Sequence, residues 1–192
     1  MKLSMIYMAF AMLMTFFSTS LTSCSQDNEP RQETNYKTVG KVTQKIDYRF
    51  NDNVLKYFTL NAVYTDQSGN VKTEPLNEQT MQFTSGMYQF QKEFTFNSIP
   101  QKVKLYVSIT PKAGYEEMTA NDVFLSSSCS YTLTTTSSMG FSIDTKSMYC
   151  PAYSTITKLS NLANYSSGLT EKGITAEHNF SINKSGNIND NK

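Results

Sequence analysis

The residues of this chain that could do chemistry begin with its single histidine, His178. Apolar residues stand two and four positions away on both sides, a pattern typical of a strand in which the ring is half-buried and hydrogen-bonded. A serine hydrolase needs a histidine, an acid and a serine on a strained turn such as Gly-x-Ser-x-Gly, and no serine here has that context. Zinc needs three or four ligands, and His178 with Cys129 and Cys150 leaves the set short. The sequence therefore predicts no catalytic residue, no metal site and no cofactor, and we do not expect an enzyme.

The acidic residues also lack the spacing of a catalytic or calcium site. Glycoside hydrolysis uses two carboxylates across a cleft, whereas the Glu116-Glu117 pair is adjacent in a polar loop and is interpreted as solvated charge. Alternate residues of the Asp66–Asn70 segment match the first three ligand positions of an EF-hand loop. In that register Val71 takes the glycine position and Asn77 the bidentate acid position, so we predict a hairpin turn instead.

The third cysteine, Cys24, closes an N-terminal segment of different character. After the positive Lys2, Met5 to Phe17 is an almost unbroken apolar run, long enough for a signal-peptide core but shorter than the roughly 20 residues of a spanning helix. The following Leu21-Thr22-Ser23-Cys24 resembles the lipobox of bacterial lipoproteins. The resemblance implies that residues 1–23 are removed and that lipid on Cys24 anchors the chain, since several acyl chains give a durable attachment. An ordinary secretory signal with a chance cysteine is the alternative.

The residues after Cys24 indicate a location and a tether. Asp27 and Glu29 resemble the acidic surface-export signal of lipoproteins in some gut-dwelling Gram-negative bacteria. This resemblance implies an outer-membrane lipoprotein at the cell surface, with a periplasm-facing position as the alternative. Residues 24–38 are polar without an apolar period, so we expect a flexible tether before a domain over residues 39–183.

Cys129 and Cys150 remain after lipidation of Cys24, and they are candidates for a disulfide because exported proteins favour cross-linking. Closing a loop of this length stabilises a fold by about 3 kcal/mol in the chain-entropy model. Cys129 also falls on the inward parity of its predicted strand, so a buried free thiol is the alternative. A nucleophilic cysteine is not expected, because His178 would have to be its base.

The composition argues against nucleic-acid binding and for strands. Lys and Arg number 17 against 16 Asp and Glu, and the loss of Lys2 with residues 1–23 leaves a neutral chain. A neutral chain without a basic run has no electrostatic attraction to nucleic acid. The chain has 12 Tyr, 12 Phe and no Trp, with 8 Gly and 5 Pro, a profile that favours β-strands with polar outer faces.

Apolar and polar residues alternate with a period of two along most of residues 39–183, which predicts half-buried strands. The strand over residues 71–76 carries Pro75, which predicts an edge position. The inward-facing residues are predicted to be Val42, Ile46, Tyr48, Phe50, Phe58, Leu60, Ala62, Tyr64, Tyr88, Phe90, Phe94, Phe96, Val103, Leu105, Val107, Ile109, Val123, Leu125, Cys129, Tyr131 and Leu133.

The C-terminal part of the chain changes period. Apolar residues between Ile156 and Ala163 recur at helical spacing, which predicts a short helix that starts near Ser154 or Thr155 and ends near Gly168. One further strand is predicted around His178, and residues 184–192 are predicted to be a polar tail. Seven or so short strands with turns between them predict an all-β fold: a two-sheet immunoglobulin-like β-sandwich with one short C-terminal helix.

Two segments, the Tyr64–Asn70 turn and Ile99-Pro100-Gln101-Lys102-Val103 leading into Ile109-Thr110-Pro111-Lys112, resemble small lipoproteins of gut Gram-negative anaerobes with one Ig-like sandwich after the tether. The resemblance covers most of residues 39–183. It implies the fold and the anchor, and it implies no activity and no site residues.

Exposed tyrosines are the remaining candidates for binding, because their rings make good contacts with proteins and with sugar faces. Tyr57, Tyr106, Tyr149 and Tyr153 fall off the inward parity or in loops. We expect a non-enzymatic, membrane-anchored lipoprotein that serves in adhesion, envelope assembly or protein binding. Its expected partners are the membrane, through the lipid, and an unidentified protein or glycan. The alternative is a glycan-binding accessory lipoprotein, which predicts these tyrosines in line on one exposed sheet face.

Overall fold

The computed structural model of the protein describes residues 38–115 and 121–191, which form ten strands, two α-helices and one 3₁₀ turn. Cys24 and the Glu116-Glu117 pair lie outside the described residues. In chain order the elements are β1 (Val39–Phe50), α1 (Asp52–Tyr57), β2 (Phe58–Thr65), β3 (Val71–Leu76), β4 (Gln82–Thr84), β5 (Met87–Thr95), β6 (Lys102–Pro111), β7 (Asp122–Ser137), β8 (Ser142–Lys158), the 3₁₀ turn Leu159–Asn161, α2 (Leu162–Glu171), β9 (His178–Ile182) and β10 (Ile188–Asp190).

The strands form two five-stranded sheets in which every hydrogen-bonded pair is antiparallel. The first sheet has the strand order β4-β5-β1-β7-β8, and the second sheet has the order β10-β9-β6-β2-β3. One cluster of buried apolar residues from both sheets forms the core. The predicted two-sheet β-sandwich is therefore confirmed. Pro75 lies in β3 at an edge of the second sheet, where its missing N–H is tolerated.

The alternation of side chains explains which residues fill the core. In β1, Val42, Ile46, Tyr48 and Phe50 are all buried, as predicted, and the inward-facing residues of β2, β6 and β7 are buried apart from a half-buried Ile109. Gln44 also lies on the inward side of β1. It is fully buried, and neither of its amide atoms has a hydrogen-bond partner among the described residues. A buried amide without partners destabilises a fold by about 1–3 kcal/mol.

The C-terminal helix begins later than its apolar spacing predicts. β8 continues to Lys158, so the prediction of a helix from Ser154 or Thr155 is wrong. Ile156 belongs to this strand, lies opposite Phe124 of β7 and is 70% exposed. An exposed apolar residue at the end of an edge strand happened to continue the period of the buried helix residues that follow it, and this produced the error.

The helix α2 also extends beyond its predicted end at Gly168 and closes with Gly173 at φ 79°, a left-handed position typical of a helix C-terminus. Gly168 instead allows a close approach, since a Cβ there would lie 2.5 Å from the hydroxyl oxygen of Tyr153. Within the described residues, no helix has the length and apolar character needed to cross a bilayer.

The C-terminal segment is not entirely a polar tail. Residues 188–190 form β10, which pairs with β9, and Ile188 is buried. The backbone N–H of Ile188 donates to the Asp144 carboxylate at 2.8 Å. The prediction of a tail over residues 184–192 is wrong there, because one apolar residue among polar neighbours is too short a pattern to reveal a strand.

The two ends of the sandwich have different connections. We call the end at Thr38, where the described chain begins, the proximal end. It consists of the turns at residues 66–70, 97–101, 138–141 and 183–187. The Ser138 N–H donates to the Thr38 carbonyl at 3.0 Å, and the Asn97 N–H donates to the Gln67 carbonyl at 2.8 Å, so neighbouring turns are joined.

At the opposite, distal end, α1 crosses from β1 in the first sheet to β2 in the second. Asn51 caps this helix, because its side-chain oxygen accepts a hydrogen bond from the Val54 N–H at 3.2 Å and from the Ser126 N–H at 3.2 Å. Helix α2 packs near the same end. The Tyr165 ring of this helix stacks on Tyr153 of β8, and the Tyr165 hydroxyl lies 2.6 Å from the Ser127 hydroxyl.

Candidate interaction surface

The two described cysteines lie opposite each other in the β7–β8 hairpin. Cys129 and Cys150 are register partners, and both are buried free thiols. Burial and the neighbouring Cys150 sulfur raise the pKa of the Cys129 thiol well above its usual value, whereas a nucleophilic cysteine needs a lowered pKa. The structure thus brings the predicted pair together, and the disulfide itself stays a prediction.

His178 opens β9 with its side chain buried rather than half-buried. Its Nδ1 lies 3.0 Å from a carboxylate oxygen of Asp190 in β10. Its ring stacks on Phe180 at 5.7 Å between centroids, and Phe180 stacks on Tyr131 at 5.3 Å. The Nε2 atom is buried without a hydrogen-bond partner among the described residues, so no hydroxyl or thiol is placed to exchange a proton with it. The arrangement is a buried histidine–acid pair within a stack of rings.

The Asp66–Asn70 segment forms the predicted hairpin turn between β2 and β3. An Asp66 carboxylate oxygen accepts hydrogen bonds from the Ser68 N–H at 2.9 Å and the Asn70 N–H at 3.0 Å, and Gly69 adopts φ 84°. The carboxylate is thus used to hold the turn. Among the residues that the structure describes, no group of three His, Cys, Asp or Glu side chains could hold a metal ion.

The four tyrosines selected from the sequence do not share a face. Tyr57 ends α1 and makes an edge contact with Tyr115 at 4.7 Å, whereas Tyr106 lies on the second sheet beside the Lys104 ammonium group. Tyr153 turns inward and packs on Tyr165. Only Tyr149 of the four is exposed, at 76%, and it lies on the outer face of the first sheet. The expected line of tyrosines on one face is therefore wrong.

A bulge in β8 explains why two tyrosines at odd positions point in opposite directions. The register pairs Ser127 with Tyr153 and Cys129 with Cys150, so two residues of β8 lie opposite one residue of β7. Such an extra residue reverses the alternation beyond it. Parity counted along the sequence assigns Tyr149 and Tyr153 to one face, and the bulge separates them.

The outer face of the first sheet is a regular array of hydroxyl, amide and charged groups across four strands. β1 contributes Thr43, Lys45, Asp47 and Arg49. Their register partners on the neighbouring strands are Thr95, Glu93, Gln91 and Gln89 of β5 and Thr134, Thr132, Ser130 and Ser128 of β7. β8 continues the array with Thr145, Ser147 and Tyr149. This array is the candidate interaction surface.

Charged groups on this surface are paired with one another. Arg49 binds both carboxylate oxygens of Asp47, with Nε at 3.1 Å and Nη2 at 3.0 Å, and Gln89 donates to the same carboxylate at 2.8 Å. The hydrogen bond to Asp47 and its negative charge raise the pKa of Arg49. Lys45 and Glu93 form a second pair at 2.8 Å. The surface is therefore neutral and polar, and it suits a partner that hydrogen-bonds more than one that carries strong charge.

A small cleft of about 140 Å³ opens beside this ion-paired cluster. Asp47, Gln91, Ser130 and Thr132 line it with hydrogen-bonding groups. Tyr149 stands opposite Ser130 across the β7–β8 pair and adds an exposed ring next to the cleft. The groups that line the cleft suit contact and hydrogen bonding.

Two apolar residues extend this surface toward the distal end. Phe124 and Ile156 are cross-strand partners on the outer face, and they are 49% and 70% exposed. Sequence reasoning missed both. Phe124 stands between the inward Val123 and Leu125, and that parity could have revealed it as outward-facing. Ile156 was assigned to a helix.

Comparison with known proteins gives no relative from which a function could be carried over. No protein-family model matches the chain, and neither a curated protein nor a solved structure is similar to it.

Proposed function

We propose that the chain is a non-enzymatic lipoprotein of the outer membrane, anchored by lipid on Cys24 at the cell surface, whose β-sandwich binds a protein partner in adhesion or envelope assembly. The observation that carries the proposal is the Leu21-Thr22-Ser23-Cys24 sequence directly after an apolar run of signal-peptide length. A small sandwich behind a polar tether suits a module that is presented from a membrane.

The reactive groups support binding rather than catalysis. In the reduced protein the Cys129 thiol is buried with a raised pKa, which keeps it protonated. His178 is buried against Phe180, with its Nε2 facing no described donor or acceptor. A catalytic histidine must be within hydrogen-bond reach of the proton that it moves. Both groups lie in the interior of the sandwich.

The outer face of the first sheet is the surface that we assign to the partner. Its charges are already paired, so a partner can cover Lys45 and Asp47 without leaving either charge unpaired. Tyr149, Phe124 and Ile156 supply exposed apolar area along the same face. Aromatic anchors surrounded by hydrogen-bonding groups are typical of protein interfaces.

The anchor is tested by expressing the full chain in a Gram-negative host and analysing the membrane-bound product by mass spectrometry. We expect an N-terminal peptide that begins at Cys24 and carries a diacylglycerol and an acyl chain. The Cys24→Ala variant should retain its leader and incorporate no labelled fatty acid. An unmodified N-terminus, or a product free in the medium, would overturn the proposal.

The cell-surface position has its own test, because the same anchor also serves lipoproteins that face the periplasm. Protease added to intact cells should remove the domain while a periplasmic marker survives. Protection in intact cells, with digestion after lysis, would assign the domain to the periplasm.

The binding surface is tested by a photo-crosslinking amino acid introduced in cells at Tyr149, with Tyr106 on the second sheet as the matched control. Both positions carry tyrosine in a strand, and they lie on opposite sheets. We expect one dominant protein adduct from position 149 and none from position 106. Equal adducts, or none at either position, would contradict the assignment of this face.

The glycan-binding alternative is supported by the polar cleft beside Tyr149, and it is weakened by the scattered positions of the other three tyrosines. It predicts hits on a glycan array that disappear in the Tyr149→Ala variant and persist in the Tyr106→Ala variant. An array without hits would remove this alternative and leave the protein partner.

A further inference from the structure

We propose that the proximal end of the sandwich contacts the phosphate-bearing headgroup layer of the membrane in which the protein is anchored. The inference rests on the lipid anchor of the proposed function and adds a second attachment, made by the folded domain. Three features carry it: exposed apolar side chains at this end, lysines without acidic partners, and the place where the chain from Cys24 joins the domain.

Large apolar side chains are exposed on several turns of the proximal end. Ile99 is 46% exposed in the turn before β6, and Met139 and Phe141 at the tip of the β7–β8 hairpin are 57% and 62% exposed. Val71, at the start of β3, is 60% exposed. All four residues lie at the proximal end, so this end can bring several exposed apolar groups to a contact. Side chains on turns can enter the headgroup region without any change in the strands behind them.

Positive charge accompanies these apolar groups. Lys41, Lys102 and Lys184 are exposed at this end, and none of them forms a salt bridge with a residue that the structure describes. The carboxylates of Asp66 and Asp144, which lie at the same end, accept hydrogen bonds from backbone N–H groups and form no ion pair with these lysines. The proximal end therefore offers free ammonium groups to lipid phosphates.

An apolar groove of about 630 Å³ lies between the first described residues and the turns at 97–101 and 183–187. Val39, Ile99 and Ile182 supply apolar lining, and Lys102 and Lys184 line the same groove. An apolar surface with two ammonium groups matches the chemistry of a phospholipid, in which acyl chains and a phosphate lie next to each other.

The connection to Cys24 places this end nearest to the membrane along the chain. Thr38 follows Cys24 by 14 positions, and an extended chain of that length spans at most about 50 Å. The tether therefore holds the proximal end at a high effective concentration beside the lipid surface, so individually weak contacts suffice.

The chain contains no tryptophan, so a single introduced tryptophan is a unique fluorescent probe. The full lipidated protein is reconstituted in vesicles of lipopolysaccharide and phosphatidylethanolamine with brominated phospholipid acyl chains, which quench tryptophan at short range. We expect Phe141→Trp and Met139→Trp to show a blue shift and to lose most of their emission. Ile156→Trp at the distal end, which is similarly exposed, should keep the emission seen in unbrominated vesicles.

A Lys102→Gln and Lys184→Gln double variant in the Phe141→Trp background should be quenched less, because the phosphate contacts are removed. Undiminished quenching would contradict the part assigned to these lysines. Flotation on a density gradient reports whether the protein is attached to the vesicles. If the protein floats but bromine quenches Phe141→Trp and Ile156→Trp equally, the inference is overturned and the anchor is left intact. A blue shift without bromine quenching would indicate a protein contact and would also overturn it. Protein that fails to float would instead contradict the proposed function.

Discussion

The distal and proximal ends of the sandwich differ in the elements that connect their strands. At the distal end α1 bridges the two sheets, α2 packs against β6 and β8, and Leu55, Tyr165 and Leu169 are buried. At the proximal end, within the described residues, only turns connect the strands, and Ile99 and Phe141 remain exposed. The long strands β1, β7 and β8 run through both ends, so the difference lies in the connections.

Because of this difference, the two ends are expected to contribute separately to the stability of the fold and to contact with the membrane. The helices of the distal end bury apolar area and therefore stabilise the fold. The turns of the proximal end bury little of their own apolar area, so their side chains are available for contact. We expect stability to depend on the distal end and membrane contact to depend on the proximal end.

The largest expected effect follows from truncating the distal helix. Leu169→Ala, at a fully buried position of α2, should lower the free energy of unfolding by about 2–5 kcal/mol, because it removes buried methyl groups and leaves a cavity. Phe141→Ser at the proximal end should change it by less than about 0.5 kcal/mol. Urea unfolding of both variants measures the contrast, and similar losses would break the comparison between the ends.

A disulfide between Cys129 and Cys150 would strengthen the hairpin that joins the two ends. We expect the exported protein to lack two hydrogens by mass spectrometry, and its oxidation to stabilise the fold by up to about 3 kcal/mol. The β7–β8 pairing already restrains the two cysteines, so the measured gain should fall below that limit. The Cys150→Ser variant is the control, and its stability should not respond to a reductant. A wild-type protein with two alkylatable thiols would support the buried free thiols instead.

Gln44 is a position where a substitution should stabilise the fold. Gln44→Leu should raise the free energy of unfolding by about 1–3 kcal/mol, because it removes a buried amide without described partners. Gln91→Leu, on the exposed outer face of the first sheet, is the matched control and should give no gain. Destabilisation by Gln44→Leu would mean that the amide is satisfied inside the sandwich. A gain would show that interior packing between the ends is not optimised for stability.

The core was predictable because its signal is long and local. Four alternating residues in β1 and four in β2 determine which face is inward, whatever the rest of the chain does. The alternating segments and the turns between them were enough to predict two packed sheets. Gln44 broke the pattern without disturbing the prediction, since one polar residue cannot outweigh its apolar neighbours at two-residue spacing.

The surfaces were harder to predict because they depend on register and topology. The bulge in β8 reverses the direction of Tyr153 relative to Tyr149, and no residue pattern nearby announced it. Ile188 joins the core only because β9 is present to pair with β10. The gathering of Ile99 and Phe141 at one end follows from strand directions that become known only when the sheets are assembled.

The smallest expected effect concerns a side of the sandwich that lies between its ends. The Glu74 carboxylate of β3 accepts a hydrogen bond from the Tyr64 hydroxyl at 2.8 Å, and the ammonium group of Lys92 of β5 lies 3.2 Å away, so the cluster links the two sheets. Burial raises the pKa of Glu74, but the hydrogen bonds from Tyr64 and Lys92 lower it more, and the pKa ends below its usual value. The charged carboxylate is therefore favoured in the folded state.

The sign of the pH dependence follows from this lowered pKa. The stabilisation is fully present above the ordinary pKa of about 4.3 and is lost as the pH falls through the lower pKa of the folded state. Between about pH 5 and about pH 2, the free energy of unfolding should fall less in the Glu74→Gln variant than in the wild type. The difference between the two falls should be below about 1 kcal/mol. Glu93→Gln removes an exposed ion pair with Lys45 and should leave the profile nearly unchanged. If Glu74→Gln kept the wild-type profile, the Glu74 carboxylate would have no part in the acid response of the fold.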